Sequence, residues 1–337
     1  TNTNPDCFKW EEAIIRFEKM FSTCILQMKK YHSLLLLFNC LGWHLGFAQA
    51  PSIEWSRVHG GSFNDRPRSI VETAQGDFFI SGDSHSSDGD ASGNHGKNDF
   101  FCMRLNPAGD LVWWKNWGGT EIDDGRGIIH TTGGGYLIAG YTYSNNGDVH
   151  GHQGSNDIWL VKINGNGDTL WTKSYGGLSY DFGLQVVETT DGNYMIAGYS
   201  RSSDGDVSAN YGQNDYWIIK IDPNGNIIWE RNYGGSGNDV ARALVATDDG
   251  GAVVTGLSNS TNGDVQGNHG DNDVWVIRLN ANGDTVWTKS VGGSLQDRSY
   301  TICQTLDGHF AIAGITFSND GDVTGNHGNG DFWVLKL

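Results

Sequence analysis

A polar block of one pattern recurs five times: SSDGDASGNHGKND from Ser86, SNNGDVHGHQGSND from Ser144, SSDGDVSANYGQND from Ser202, STNGDVQGNHGDND from Ser260 and SNDGDVTGNHGNGD from Ser318. Asp88, Asp90, Asp148, Asp204, Asp206, Asp264, Asp320 and Asp322 present carboxylates at short spacing, with Asn94 adding an amide oxygen. Oxygen-rich loops of this kind are candidate calcium ligands, although the third acid and closing Glu of an EF-hand are missing. The same residue types also build compact loops through side-chain to backbone hydrogen bonds, which is the simpler expectation. A second acidic row, Asp65, Asp123, Asp181, Asp239 and Asp297, follows each Gly-Gly as GGxxxD. It could hold a cation or sugar hydroxyls, or cap the N–H groups of a neighbouring loop. A third row is His95, Gln153, Tyr211, His269 and His327, beside His152. Flat rings next to Asp and Asn suit a sugar site, and the alternative is packing over their own loop. Arg66, Arg68, Arg126, Arg242 and Arg298 complete the set: they could line one end of the channel, and pairing with the adjacent Asp row is the simpler expectation.

None of this reads as catalysis. HExxH and GxSxG are absent, and no Cys–His arrangement stands out. Glycoside hydrolysis, the enzymatic alternative, needs two carboxylates in unlike environments. The prominent acids repeat in every copy, and those that break the repeat (Glu72, Asp83, Glu121, Asp124, Glu188) form no recognisable set.

The elements that position these residues follow from the repeat. Gly60-Gly61, Gly118-Gly119, Gly176-Gly177, Gly234-Gly235 and Gly292-Gly293 are 58 residues apart each time. In the third copy FGLQVVETT and YMIAGYS flank Asp191-Gly192 as a hairpin, the polar block follows, and YWIIKID and IIWERNY flank PNGN. Four antiparallel strands per repeat predict an all-β fold: a five-bladed β-propeller over residues 51–337. The fifth copy lacks a fourth strand, and IEWSRVHGG from Ile53 is expected to supply it and close the ring, with Trp55 in register with Trp113, Trp171, Trp229 and Trp287. Ile70, Ile128, Val186, Leu244 and Ile302, with Phe101, Trp159, Trp217, Trp275 and Trp333, are expected to pack blade on blade.

Ahead of the repeats, residues 28–50 read as a secretory signal peptide: Met28-Lys29-Lys30, an apolar stretch, then Ala48-Gln49-Ala50. Residues 1–27 read as an upstream extension outside the mature protein. A secreted monomer with no membrane span is expected. Cys102 and Cys303 stand at apolar positions of the repeat and read as buried thiols rather than a disulfide framework. The net charge of -17 excludes nucleic acid and anionic membranes as partners.

GGGYLIAGYTYSNNGDVHG (from Gly133) and DGNYMIAGYSRSSDGDVSA (from Asp191) resemble the repeat of secreted, Bacteroidetes-type β-propeller proteins, some of them lectin-like. The resemblance implies the fold and export, and it leaves function to the site. Similar blades suit multivalent recognition of a repeating ligand. The expected function is therefore non-catalytic glycan binding on the loop-rich face, with an extracellular protein as the alternative partner and a structural scaffold as the alternative role.

Overall fold

The computed structural model describes residues 52–337. The extension at 1–27 and the signal-peptide segment at 28–50 lie outside them. Five antiparallel sheets follow one another, each a simple meander. Blade 1 holds β1 (Asp65–Glu72), β2 (Phe78–Ser84), β3 (Asp99–Leu105) and β4 (Leu111–Trp117). Blade 2 holds β5 (Asp123–His130), β6 (Tyr136–Thr142), β7 (Asp157–Ile163) and β8 (Thr169–Tyr175). Blade 3 holds β9 (Asp181–Glu188), β10 (Tyr194–Ser200), β11 (Asp215–Ile221) and β12 (Ile227–Tyr233). Blade 4 holds β13 (Asp239–Ala246), β14 (Ala252–Ser258), β15 (Val274–Leu279) and β16 (Thr285–Val291), and blade 5 holds β17 (Asp297–Gln304), β18 (Phe310–Thr316) and β19 (Asp331–Lys336). The first strands of successive blades lie against each other, so they are the inner strands of a five-bladed β-propeller.

Blades pack face to face through the apolar rows. Tyr216 and Ile218 of blade 3 meet Leu244, Trp275 and Ile277 of blade 4, and Trp159, Trp217 and Trp275 are fully buried. An indole buries a large apolar area, so the one in each of blades 2–4 supplies much of the interface there. Cys102 is buried, whereas Cys303 is exposed and free, against the expectation of two buried thiols. It lies on the fifth blade's inner strand, where neighbouring cover is thinner.

Among the described residues the expected closing strand pair is not formed. Blade 5 has three strands, and the segment up to Gly61 forms no strand with β19. Instead Trp55 packs on Phe78, ring centroids 5.8 Å apart, and covers Gly109. That is the seat Trp113 takes over Gly167 and Trp229 over Gly283. The segment thus occupies the position of an outer strand preceding blade 1. The two end faces stay uncovered: Ile70 is 60 % exposed where Ile128 is 3 %, and Phe332 is 78 % exposed. Carrying the β11–β12 register, Lys220 opposite Trp229, onward by two repeats and round the ring would set Lys336 opposite Trp55.

The lower face carries short turns, such as that at Gly192 with φ 77°. Lys220 Nζ meets Asp191 there at 2.7 Å, Arg278 meets Asp249 at 2.7 Å, and Lys336 meets Asp307 at 2.5 Å. Blade 2 has Gly133 where that carboxylate stands. Lys162 is left buried against Thr131 Oγ1 and the carbonyl of Gly134, and desolvation pulls its ammonium down to about 8. A side chain at Gly133 would meet open space on an ordinary backbone conformation. Gly133→Asp should therefore stabilise the protein by about 1–2 kcal/mol through a charge-assisted bond and a less flexible unfolded chain. A urea midpoint that fails to rise, or a Lys162 pKa that does not climb, would count against it.

Candidate functional site

The loop-rich face is built by the GGxxxD turns and the polar blocks, which bind each other. In blade 3, Asp181 accepts from Gly177 N–H at 2.8 Å and Ser202 Oγ at 2.7 Å through Oδ2, and from Ser200 Oγ through Oδ1. Asp65, Asp123, Asp239 and Asp297 hold equivalent bonds. The loop acids are engaged likewise. Asp88, Asp204 and Asp320 accept from Ser62, Leu178 and Ser294 N–H at 2.7–2.8 Å. Asp90, Asp148, Asp206, Asp264 and Asp322 accept from the first glycine of each pair at 3.2–3.4 Å. Among the described residues, no group of three or more His, Cys, Asp or Glu side chains is placed to hold a metal ion.

The ring-bearing row sits over a further acid. His95, Gln153, Tyr211, His269 and His327 each donate their backbone N–H to the aspartate four residues on, Asp99, Asp157, Asp215, Asp273 and Asp331. The three imidazoles also bring Nδ1 within 2.6–2.9 Å of those carboxylates. The row is thus spread around the crown, one residue per blade.

Sequence reasoning missed what those aspartates do. Asp99 Oδ1, Asp157 Oδ1, Asp215 Oδ1 and Asp273 Oδ1 are buried without a hydrogen-bond partner. Each shares the space above a glycine with a GGxxxD acid: a Cβ on Gly118 would fall 2.7 Å from Asp99 Oδ1 and 2.6 Å from Asp123 Oδ2. Burial, with the second carboxylate adding to it, pushes Asp157 up to about 8. Burial likewise takes Asp123 and Asp215 to about 6.

Symmetry breaks at the propeller axis. Each inner strand carries one extra residue, a β-bulge, at Arg68, Arg126, Leu184, Arg242 or Tyr300. A bulge re-aims its side chain. The glycine opposite is required: a Cβ on Gly198 would collide with the carbonyl oxygen of Phe182. Here a cavity of about 510 Å³ opens among blades 2–5. Phe182 and Tyr199 are stacked in its wall, centroids 4.7 Å apart, and Asn214, Asn238, Asn272 and Gln296 also line it. Arg126, Arg242 and Arg298 also line it, and no Asp or Glu does.

The arginines do not pair with the GGxxxD row as expected. Arg66 and Arg68 meet Asp83 at 2.5 and 3.3 Å, and Arg126 meets Asp124 at 3.0 Å. Arg242 lies over the Tyr300 ring and Arg298 over Phe317. Arg126, Arg242 and Arg298 instead line the axial cavity, the other reading the sequence left open for them.

Fold and site together define a β-propeller with a loop-clamped crown and an asymmetric cavity at the axis. No protein-family model matches the chain, and no curated protein matches it. Solved structures resemble it at low identity. A protein of unknown function from Dyadobacter fermentans has a TM-score of 0.42 at 12% identity, over 80% of this chain and 75% of its own. BamB from Moraxella catarrhalis gives 0.40 at 13%, over 76% and 59%. Xylan beta-1,4-xylosidase from Bacillus halodurans C-125 gives 0.39 at 12%, over 82% and 52%. The chain thus spans about half to three-fifths of the latter two. These likenesses assign no activity.

Proposed function

We propose that the protein is an exported, non-catalytic carbohydrate-binding propeller whose ligand enters the axial cavity on the loop-rich face. One observation carries this reading: the cavity is lined by stacked aromatic rings, Phe182 and Tyr199, together with amide-bearing residues. Sugars present an apolar ring face and a belt of hydroxyls, and such a lining answers both. The ring-bearing row, from His95 to His327, would offer a secondary contact surface on the same loop-rich face. Glycosidase chemistry is disfavoured because it needs two carboxylates flanking the bond, and the cavity is lined by none. The export reading rests on residues 28–50.

A glycan array probed with the purified protein, in calcium and in chelator, tests the proposal. Specific binding that Tyr199→Ala weakens at least tenfold is expected. Binding to no glycan, or binding indifferent to Tyr199, would remove the reading in favour of a protein partner. Loss of binding on chelation would assign the loop acids from Asp88 to Asp322 as calcium ligands, and indifference would withdraw that role.

A further inference from the structure

The axial mouth is basic in a chain of net charge -17. Arg66 and Arg68 share Asp83, and Arg126 has Asp124. Arg242 and Arg298, which line one cavity, face no carboxylate within ion-pair distance among the described residues. Arg298 Nη2 reaches only the Gln296 amide oxygen at 3.3 Å, and Arg242 is held by the Tyr300 ring at 5.3 Å. The nearby acids Asp239 and Asp297 are engaged in the loops through Gly235, Ser258 and Ser260, and Gly293, Thr316 and Ser318. The Nε atoms of Arg126, Arg242 and Arg298 are all buried without an acceptor.

Orphaned buried donors are rare because each costs the desolvation of its group. These Nε atoms have no accessible surface, so what a ligand in the cavity would meet is the terminal Nη groups of Arg242 and Arg298, which line it without a carboxylate partner among the described residues. Two unpaired guanidiniums lining one cavity also repel, and an anion between them reverses the sign of that interaction. Planar guanidinium forks match planar or tetrahedral oxyanions, with two bonds per group.

We propose that this mouth is a binding subsite for an oxyanion substituent on the ligand, so that the protein selects acidic glycans, uronate-bearing or sulfated, over neutral ones. Arg242 and Arg298 grip the anionic group, Arg126 contributes beside Asp124, and the amides take hydroxyls. The inference rests on the carbohydrate-binding reading above.

Calorimetric titration of the full chain with oligogalacturonate, its methyl ester, a sulfated galactan oligosaccharide and a neutral galactan oligosaccharide separates the two. Oligogalacturonate or the sulfated sugar should bind at least tenfold tighter than the methyl ester and the neutral sugar, and whichever does so identifies the oxyanion. Arg242→Gln and Arg298→Gln should each lose tenfold or more on the acidic ligand, Arg242→Lys less, and Lys115→Gln, on the outer strand β4 beside Asp168, nothing. Unfolding temperatures of all four variants establish that they fold. Should a variant fail to fold, the preference of the parent for acid over ester still decides. Equal binding of acid and ester, or acidic binding unaffected by both Gln variants, overturns the subsite and leaves the carbohydrate reading standing. Neutral-sugar binding alone does the same, and binding of no sugar overturns both.

Discussion

Asp157→Asn will raise the unfolding temperature at pH 9 and flatten its dependence on pH. Asp157 is fully buried; its Oδ2 accepts from Gln153 N–H at 2.8 Å, and its Oδ1 has no partner and faces the carboxylate of Asp181 across Gly176. Desolvation, the largest cause, and the neighbouring Asp181 and Asp206 charges together hold its carboxyl near 8. The folded state therefore keeps a proton that the unfolded chain releases near 3.8. Between those values folding takes up a proton, so stability falls as pH rises through the window and levels off above it. Each unit of difference is worth about 1.4 kcal/mol, and neighbouring junctions at Asp123 and Asp215 push the same way up to about 6.

An Asn at 157 can place its Nδ2 where Oδ1 now stands and donate to Asp181, replacing repulsion with a hydrogen bond. A rise on the order of 5 °C at pH 9 is expected, with little change at pH 4, where the parent carboxyl is already protonated. Scanning calorimetry across pH 4–9 on both proteins measures this. A parent whose stability climbs from pH 5 to pH 9 would show that the junction acids ionise without penalty, and a cation shared between them would be the first explanation to pursue with calcium titration.

The junction acids mark the limit of what the sequence discloses. Strands were legible almost to the residue: YMIAGYS and IIWERNY coincide with β10 and β12, because alternating apolar residues flank turns that require glycine. The role of Asp181 as a loop clamp was also within reach, since GGxxxD repeats without a gap. What repetition cannot reveal is which repeated residues meet. Asp157 and Asp181 are far enough apart in sequence to read as separate rows, and only the blade-to-blade crossing brings both to Gly176. The rest of the axial cavity was hidden for the opposite reason. Leu184 and Arg242 hold one structural position, as do Phe182 and Arg298, so nothing in the pattern joins them. The bulge that turns Arg126 and Arg242 inward breaks the two-residue period by a single residue, and short alternating segments absorb such a break unnoticed. The fold thus resides in what the copies share, and the chemistry of the axial cavity in how they differ.

Asp181→Asn should act with the opposite sign to its neighbour. Both aspartates are fully buried, both recur in every blade, and both are held above the usual carboxylate range by desolvation. Their hydrogen-bond ledgers differ. Three donors converge on Asp181: Gly177 N–H and Ser202 Oγ on Oδ2, and Ser200 Oγ on Oδ1. An amide keeps only one acceptor oxygen. If Nδ2 takes the Oδ2 position, the buried Gly177 N–H loses its partner. If it takes the Oδ1 position, it meets Ser200, whose hydroxyl oxygen already accepts from Ser202 N–H at 3.0 Å. An orphaned buried donor costs about 1–3 kcal/mol, so a loss of that size at pH 7 is expected, against a gain for Asp157→Asn at alkaline pH. The loss should be local in its first expression. The Gly177 turn and the loop from Ser202 to Asp215 are tied through this carboxylate, so amide exchange at Gly177 and Leu178 should quicken before the blade core does. A denaturation midpoint and exchange pattern equal to the parent's would mean that the carboxylate does not organise the loop. The GGxxxD row would then have to be retained for a ligand, with the crown rather than the axial cavity as the place to look for it.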